Sequence, residues 1–182
     1  MSFSCVIRTV VVLSFFLGLT DMGSASPPPD IKFNNFTWKH HSSGIRTYNF
    51  VDVYQCALYL PRGNNRVKGE LIASLESLEN PVAIRIEILT SMLPDKMPDV
   101  WRETIESEVT GKAFKRFRKG FAGLDEGDVL LFVYLPGKST HLYLNDEFQF
   151  KDPGPGLMQG LLDQWLGAQP ISEDLKQTLI GE

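Results

Sequence analysis

Arg46-Thr47-Tyr48-Asn49-Phe50-Val51-Asp52-Val53-Tyr54-Gln55-Cys56-Ala57-Leu58-Tyr59-Leu60 decides how this chain folds. β-Branched and aromatic residues dominate it, which is the composition of strand, and it stops at the turn cluster Pro61-Arg62-Gly63-Asn64-Asn65. A second strand follows Pro81: Val82, Ile84, Ile86 and Ile88 alternate with Ala83, Arg85, Glu87 and Leu89, which predicts one buried face. Between the two, apolar residues at 67, 71, 72, 75 and 78 have helical spacing.

Further along, residues 98–121 return to a helical pattern in two pieces separated at Gly111, and Asp125-Glu126-Gly127-Asp128 forms a turn. Val129–Leu135 and Thr140–Leu144 read as a hairpin across Pro136-Gly137-Lys138. After Asp152-Pro153-Gly154-Pro155-Gly156 come two short helices, Leu157–Leu166 and Ser172–Ile180. The second is opened by Ser172, with Glu173 and Asp174 in its first turn. Strands in hairpins, with helices between and after them, predict an α+β fold: one antiparallel sheet with helices packed over one face.

The rest of the chain sets the context. Of 182 residues, 43% are hydrophobic and 22% charged, which is the composition of a globular domain. A net charge of −4 is too mild, and of the wrong sign, for a protein whose main partner is nucleic acid or an acidic membrane. At the amino terminus Arg8 precedes the apolar run Thr9–Leu19, and Gly23-Ser24-Ala25 supplies the small residues read by a signal peptidase. Residues 1–25 are therefore expected to be a secretory signal cut after Ala25, with an uncleaved anchor as the alternative. The expected location is periplasmic or secreted. Residues 26–35, with the Pro27–Pro29 run, read as an extended spacer, and 36–182 as one domain. Cleavage leaves Cys56 as the only cysteine, so no internal disulfide can form, and Cys56 reads as a small core residue.

Several residues now permit a comparison. Gly44-Ile45-Arg46, Phe50-Val51-Asp52-Val53-Tyr54 and Ala57-Leu58-Tyr59-Leu60-Pro61 are followed much later by Trp165-Leu166-Gly167 and Leu179-Ile180-Gly181. Together, in this order, they resemble the chalcone isomerase-like family in its secreted bacterial form, over about residues 36–181. The resemblance implies an open-faced β-sandwich. The family's plant isomerases close a flavanone ring with an arginine and a threonine on early strands, plus a tyrosine, a lysine and an asparagine on and around a later helix. Arg46 matches the arginine, whereas Tyr54 stands at the threonine position. Ser91–Thr110 contains no Tyr and no Asn, and Lys96 is its only Lys. Flavonoid isomerisation is not expected from such a set.

The departure is similar to the fatty-acid-binding members, which hold a carboxylate with an arginine and a tyrosine at one end of an apolar cleft. Guanidinium offers a planar fork to a carboxylate, and a phenol adds a further donor. Arg46 and Tyr54 are therefore the expected ligand-binding pair. The expected function is binding of a small apolar carboxylate, fatty acid-like, without turnover. An isomerase or intramolecular lyase on another substrate, and a structural or partner-binding protein without a ligand, are the alternatives. Geometry constrains the first reading: on one continuous strand, eight steps of about 3.3 Å would part the two residues by about 26 Å. They can share a ligand only across a tight turn near Tyr48-Asn49-Phe50. Otherwise Arg46 pairs with an acidic side chain and Tyr54 merely packs in the sheet.

Other motifs carry less. His40-His41 would point to opposite faces of a strand, a poor metal site, and His141 stands alone, so no metal is expected. Gly154-Pro155-Gly156 is no phosphate loop and no cofactor is expected; no Gly-x-Ser-x-Gly elbow occurs, so a serine hydrolase is not expected either. Lys112–Lys119 interleaves positive charges with Phe114 and Phe117, followed by Phe121, as an amphipathic helix with a solvated basic side would. That side could also make weak contact with a membrane surface. Asn35-Phe36-Thr37 fits a glycosylation sequon and is expected to be unmodified. The chain is expected to act as a monomer.

Overall fold

The structure, a computed structural model, describes residues 26–33, 36–63, 74–93 and 121–181, together with helical positions 99, 102, 103, 106, 115, 116, 118 and 119. Seven strands form one antiparallel sheet in chain order: β1 (Asp30–Phe33), β2 (Phe36–Tyr48), β3 (Val51–Pro61), β4 (Val82–Ile88), β5 (Val129–Leu135), β6 (Ser139–Leu144) and β7 (Glu147–Pro153). Two helices close the chain, α1 (Gly156–Leu166) and α2 (Glu173–Ile180). The α+β architecture with helices over one face is the one the sequence predicts. The signal segment, Gly111, Lys112 and most of the predicted 67–78 helix lie outside the described residues, and residues 74–77 are helical.

The sheet is curled. Laid flat, β1 and β6 would stand about 24 Å apart, five strand spacings of about 4.8 Å. Instead the Phe33 ring on β1 lies 5.1 Å from Tyr143 and 6.0 Å from His141, both on β6. The concave face closes over Trp38, Ala57, Tyr59, Ala83 and Val133. Two alanines in that set keep the inner face narrow, and bulges at His41 of β2 and Gln149 of β7 add twist. The convex face carries the larger core. There Cys56, Leu58, Ile84, Phe132 and Phe150 pack against Leu157, Leu161 and Trp165 of α1 and Leu175 and Leu179 of α2.

Of residues 26–35, expected as a spacer, the described part, 26–33, is tied to the sheet. Asp30–Phe33 pairs with β2, the Tyr59 hydroxyl donates to the Pro28 carbonyl at 2.8 Å, and the His40 amide donates to Pro29. The single expected strand from Arg46 is two strands, since β2 starts ten residues earlier at Phe36 and ends at the Asn49-Phe50 turn. The helix ends follow local rules. Ser172 Oγ accepts from the Leu175 amide, Glu173 and Asp174 occupy the positive end of α2, and Gly181 closes it in the left-handed region. Pro155 offers α1 no side-chain cap, and buried Asp152 supplies the acceptor instead, taking the Leu157 amide at 3.3 Å.

Two tight hairpins differ in a telling way. Asn145 and Asp146 join β6 to β7 at φ 49° and 66°, while Asn49 and Phe50 join β2 to β3 at 47° and 66°. Both match the two-residue turn that suits the sheet's twist and that Asn, Asp and Gly tolerate. Phe50 is fully exposed and makes a poor occupant of left-handed backbone. Phe50→Gly should raise stability by about 0.5–1 kcal/mol, the relieved strain less the entropy of an added unfolded-state glycine. A denaturant midpoint equal to or below that of the native chain would show that the turn is unstrained.

Candidate functional site

The Asn49-Phe50 turn does what the binding reading requires. It folds β3 back on β2 so that Arg46 and Tyr54 become directly opposed residues, on the face that carries the helices. Along this face the cross-strand row runs Arg46, Tyr54, Ile88, and the parallel row two residues deeper runs Gly44, Cys56, Ile86, Leu130, Leu144. The first row sits at the end of the sheet where the helices stand away from it.

The space they leave is a cavity of about 650 Å³. Val53, Ile86, Ile88, Leu93, Leu130 and Ile171 give it apolar walls, Phe121 lies over it, and Arg46, Tyr54, Asn49 and Thr90 supply its polar groups. A volume of this size, mostly greasy with a few convergent polar groups, suits a small organic ligand. Tyr48 and Met92, both well exposed, sit at its mouth.

Tyr54 is held in place. It is buried, and its hydroxyl accepts the indole N–H of Trp165 at 2.8 Å, with the two rings edge-on at 6.4 Å. Burial pushes the phenol far above its usual pKa, while the indole hydrogen bond and the nearby Arg46 charge pull it partly back. The group therefore stays a neutral O–H, the form that donates to an anion. Arg46 is half-buried, donates through Nη1 to the Thr47 carbonyl at 2.6 Å, and has its guanidinium carbon 5.7 Å from the Tyr48 ring centroid. Among the described residues it makes no ion pair. One cationic and one phenolic side chain thus line the same apolar space.

In the sequence Trp165 stands out only within the Trp165-Leu166-Gly167 stretch of the resemblance. A buried indole N–H needs an acceptor, but nothing in the sequence links it to a phenol 111 residues away. Cys56 is buried beneath the same face, and desolvation raises its thiol well above the usual value, so it is packing and not a nucleophile. His40 stacks edge-on with Tyr59, while His141 shares a 2.7 Å hydrogen bond with Ser139, and burial lowers the pKa of both. Lys115, Arg116, Arg118 and Lys119 are exposed helical residues, as the amphipathic reading predicts; Phe114 and Phe117 lie outside the described residues.

Comparison with known proteins agrees with this fold. The model of the chalcone isomerase-like family matches residues 20–181. Among solved structures, a fatty-acid-binding protein of Arabidopsis thaliana superposes with a TM-score of 0.60 at 14% sequence identity, over 84% of this chain and 90% of that one. At such identity the likeness establishes the fold. No curated protein matches the chain.

Proposed function

Because the chain belongs to the chalcone isomerase-like family, whose fold leaves an apolar cleft between sheet and helices here, we propose that it binds a fatty acid-like carboxylate there without turning it over. The observation that carries this reading is the pairing of Arg46 with Tyr54 across the β2–β3 hairpin, at the polar end of the 650 Å³ cavity. The guanidinium fork takes the carboxylate, the Tyr54 phenol donates alongside it, and low surrounding polarity strengthens both bonds. The acyl chain lies along Ile86, Ile88 and Leu130 beneath Phe121.

Two further facts favour binding over catalysis. Tyr54 stands where the plant isomerases have a threonine, and Ser91–Thr110 offers neither the tyrosine nor the asparagine of their proton-steering set. The neighbouring fold is that of a protein described as fatty-acid-binding. We also propose that residues 1–25 export the protein and that it meets its ligand as a periplasmic or secreted monomer.

Native mass spectrometry of protein purified from its own compartment tests mass, stoichiometry and cargo together. A monomer beginning at Ser26 and carrying an acyl chain is the expected result. In titrations with palmitate, Arg46→Ala should weaken binding ten- to a hundredfold, the worth of a charged hydrogen-bonding pair, while remaining folded. Equal affinity of the variant and the native protein, or no affinity in either, would remove the proposed role. Turnover of a chalcone, suppressed by the same variant, would replace binding with catalysis.

A further inference from the structure

A second cavity, of about 390 Å³, opens on the same face of the sheet. Leu142, Leu144 and Phe150 form its floor with Leu130, Phe121 and Leu124 bound it, and Arg116, Lys119 and Gln149 stand at its rim. Among the described residues, Phe121 and Leu130 belong to both cavities.

The strand register explains the sharing. Ile86, Leu130 and Leu144 are successive members of one cross-strand row. Ile86 lines only the first cavity, Leu144 only the second, and Leu130 lies between them. At strand spacing, Ile86 and Leu144 are about 10 Å apart, so the chambers are neighbours on a continuous apolar floor. Phe121, nearly buried, is the aromatic side chain that lines both chambers.

We infer that Phe121 is a septum that sets the length of the acyl chain, and that the second chamber is the continuation of the binding site for longer chains. The inference rests on the binding reading above and adds a residue that determines specificity. A chain anchored at Arg46 and Tyr54 runs over Ile88 and Ile86 and meets the ring edge at Leu130. With the ring in place the chain must stop or fold back. With the ring removed, the next methylenes gain the apolar floor of Leu142, Leu144 and Phe150, each worth about fourfold in affinity.

The test is a titration of the native protein and Phe121→Ala with saturated acids from octanoate to stearate. Native affinity should climb with length and then break off, and the variant's break should come at least one even-chain step later. Phe121→Leu, closer in volume, serves if the alanine variant unfolds and should give a smaller shift in the same direction. Adding Leu144→Trp to the variant should refill the far chamber and return the break to its native position. The same break in all proteins that bind would overturn the septum while leaving the binding reading intact. An absence of binding by the native protein would overturn both.

Discussion

Trp165→Ala should lower the free energy of unfolding by about 3–5 kcal/mol, the range for deleting a fully buried large aromatic side chain. Trp165 is 1% exposed and fills the space between α1 and β3. Part of the loss is cavity formation and part is the hydrogen bond its Nε1 gives to the Tyr54 hydroxyl. The two contributions separate by substitution. Trp165→Phe keeps much of the ring volume and removes the donor. Tyr54→Phe keeps the packing and takes away the acceptor of a buried indole N–H, which costs about 1–3 kcal/mol. The double variant should cost less than the sum of the two singles, because neither remaining ring then carries a polar atom that has lost its partner. Guanidinium denaturation with a constant slope across the series measures this. Additive singles would mean that the 2.8 Å contact contributes nothing. Ligand affinity supplies an independent readout: Trp165→Phe should weaken carboxylate binding by leaving Tyr54 free to change rotamer, even where the fold survives.

Features with local causes could be read from sequence. Val82–Leu89 was legible because its inward residues are Val and Ile without interruption, and the observed strand Val82–Ile88 buries that same set. The start of α2 was legible because Ser172, Glu173 and Asp174 satisfy its first amides through their own side chains and charges. β7 was not, since along Glu147–Pro153 only Phe150 and Asp152 turn inward, and one of those is a carboxylate. The first half of β2 was likewise hidden. Trp38 is its one fully buried residue, and a bulge after His40 breaks the alternation among His40, His41, Ser42 and Ser43. In the site, the residue types of Arg46 and Tyr54 pointed to carboxylate chemistry, but their opposition depended on a turn whose second residue is Phe50, where the pattern for such turns has glycine. The cavity had no sequence signal. Its volume is the distance by which helices stand off the sheet, and that is fixed by contacts such as those at Gly44.

Gly44→Val should cost about 3 kcal/mol and displace α2. Gly44 lies on β2 opposite Cys56, under the helix. A Cβ there would sit 2.8 Å from Leu175 Cδ1, 3.1 Å from Thr178 Cβ and 3.2 Å from Thr178 Cγ2. Leu175 is 1% exposed, and the Thr178 Cβ moves only with the helix backbone. Gly44→Ala should therefore be destabilising as well, by a smaller amount, and trimming the helix with Leu175→Ala should recover part of the valine's steric cost at the expense of its own cavity. A Gly44→Ala protein as stable as the native one would show that the helix does not rest on the strand. The consequence reaches the ligand. Ser42 Oγ donates to the Leu179 carbonyl just before Gly44, so the strand and α2 are clamped over two successive inward positions. The third, Arg46, lines the cavity. Close contact at Gly44 thus fixes where the sheet and helices begin to part, and lifting α2 there should also move Ile171, at the helix's approach, out of the cavity wall. Weaker binding by Gly44→Ala, with Arg46 and Tyr54 both intact, is the expected sign of that coupling.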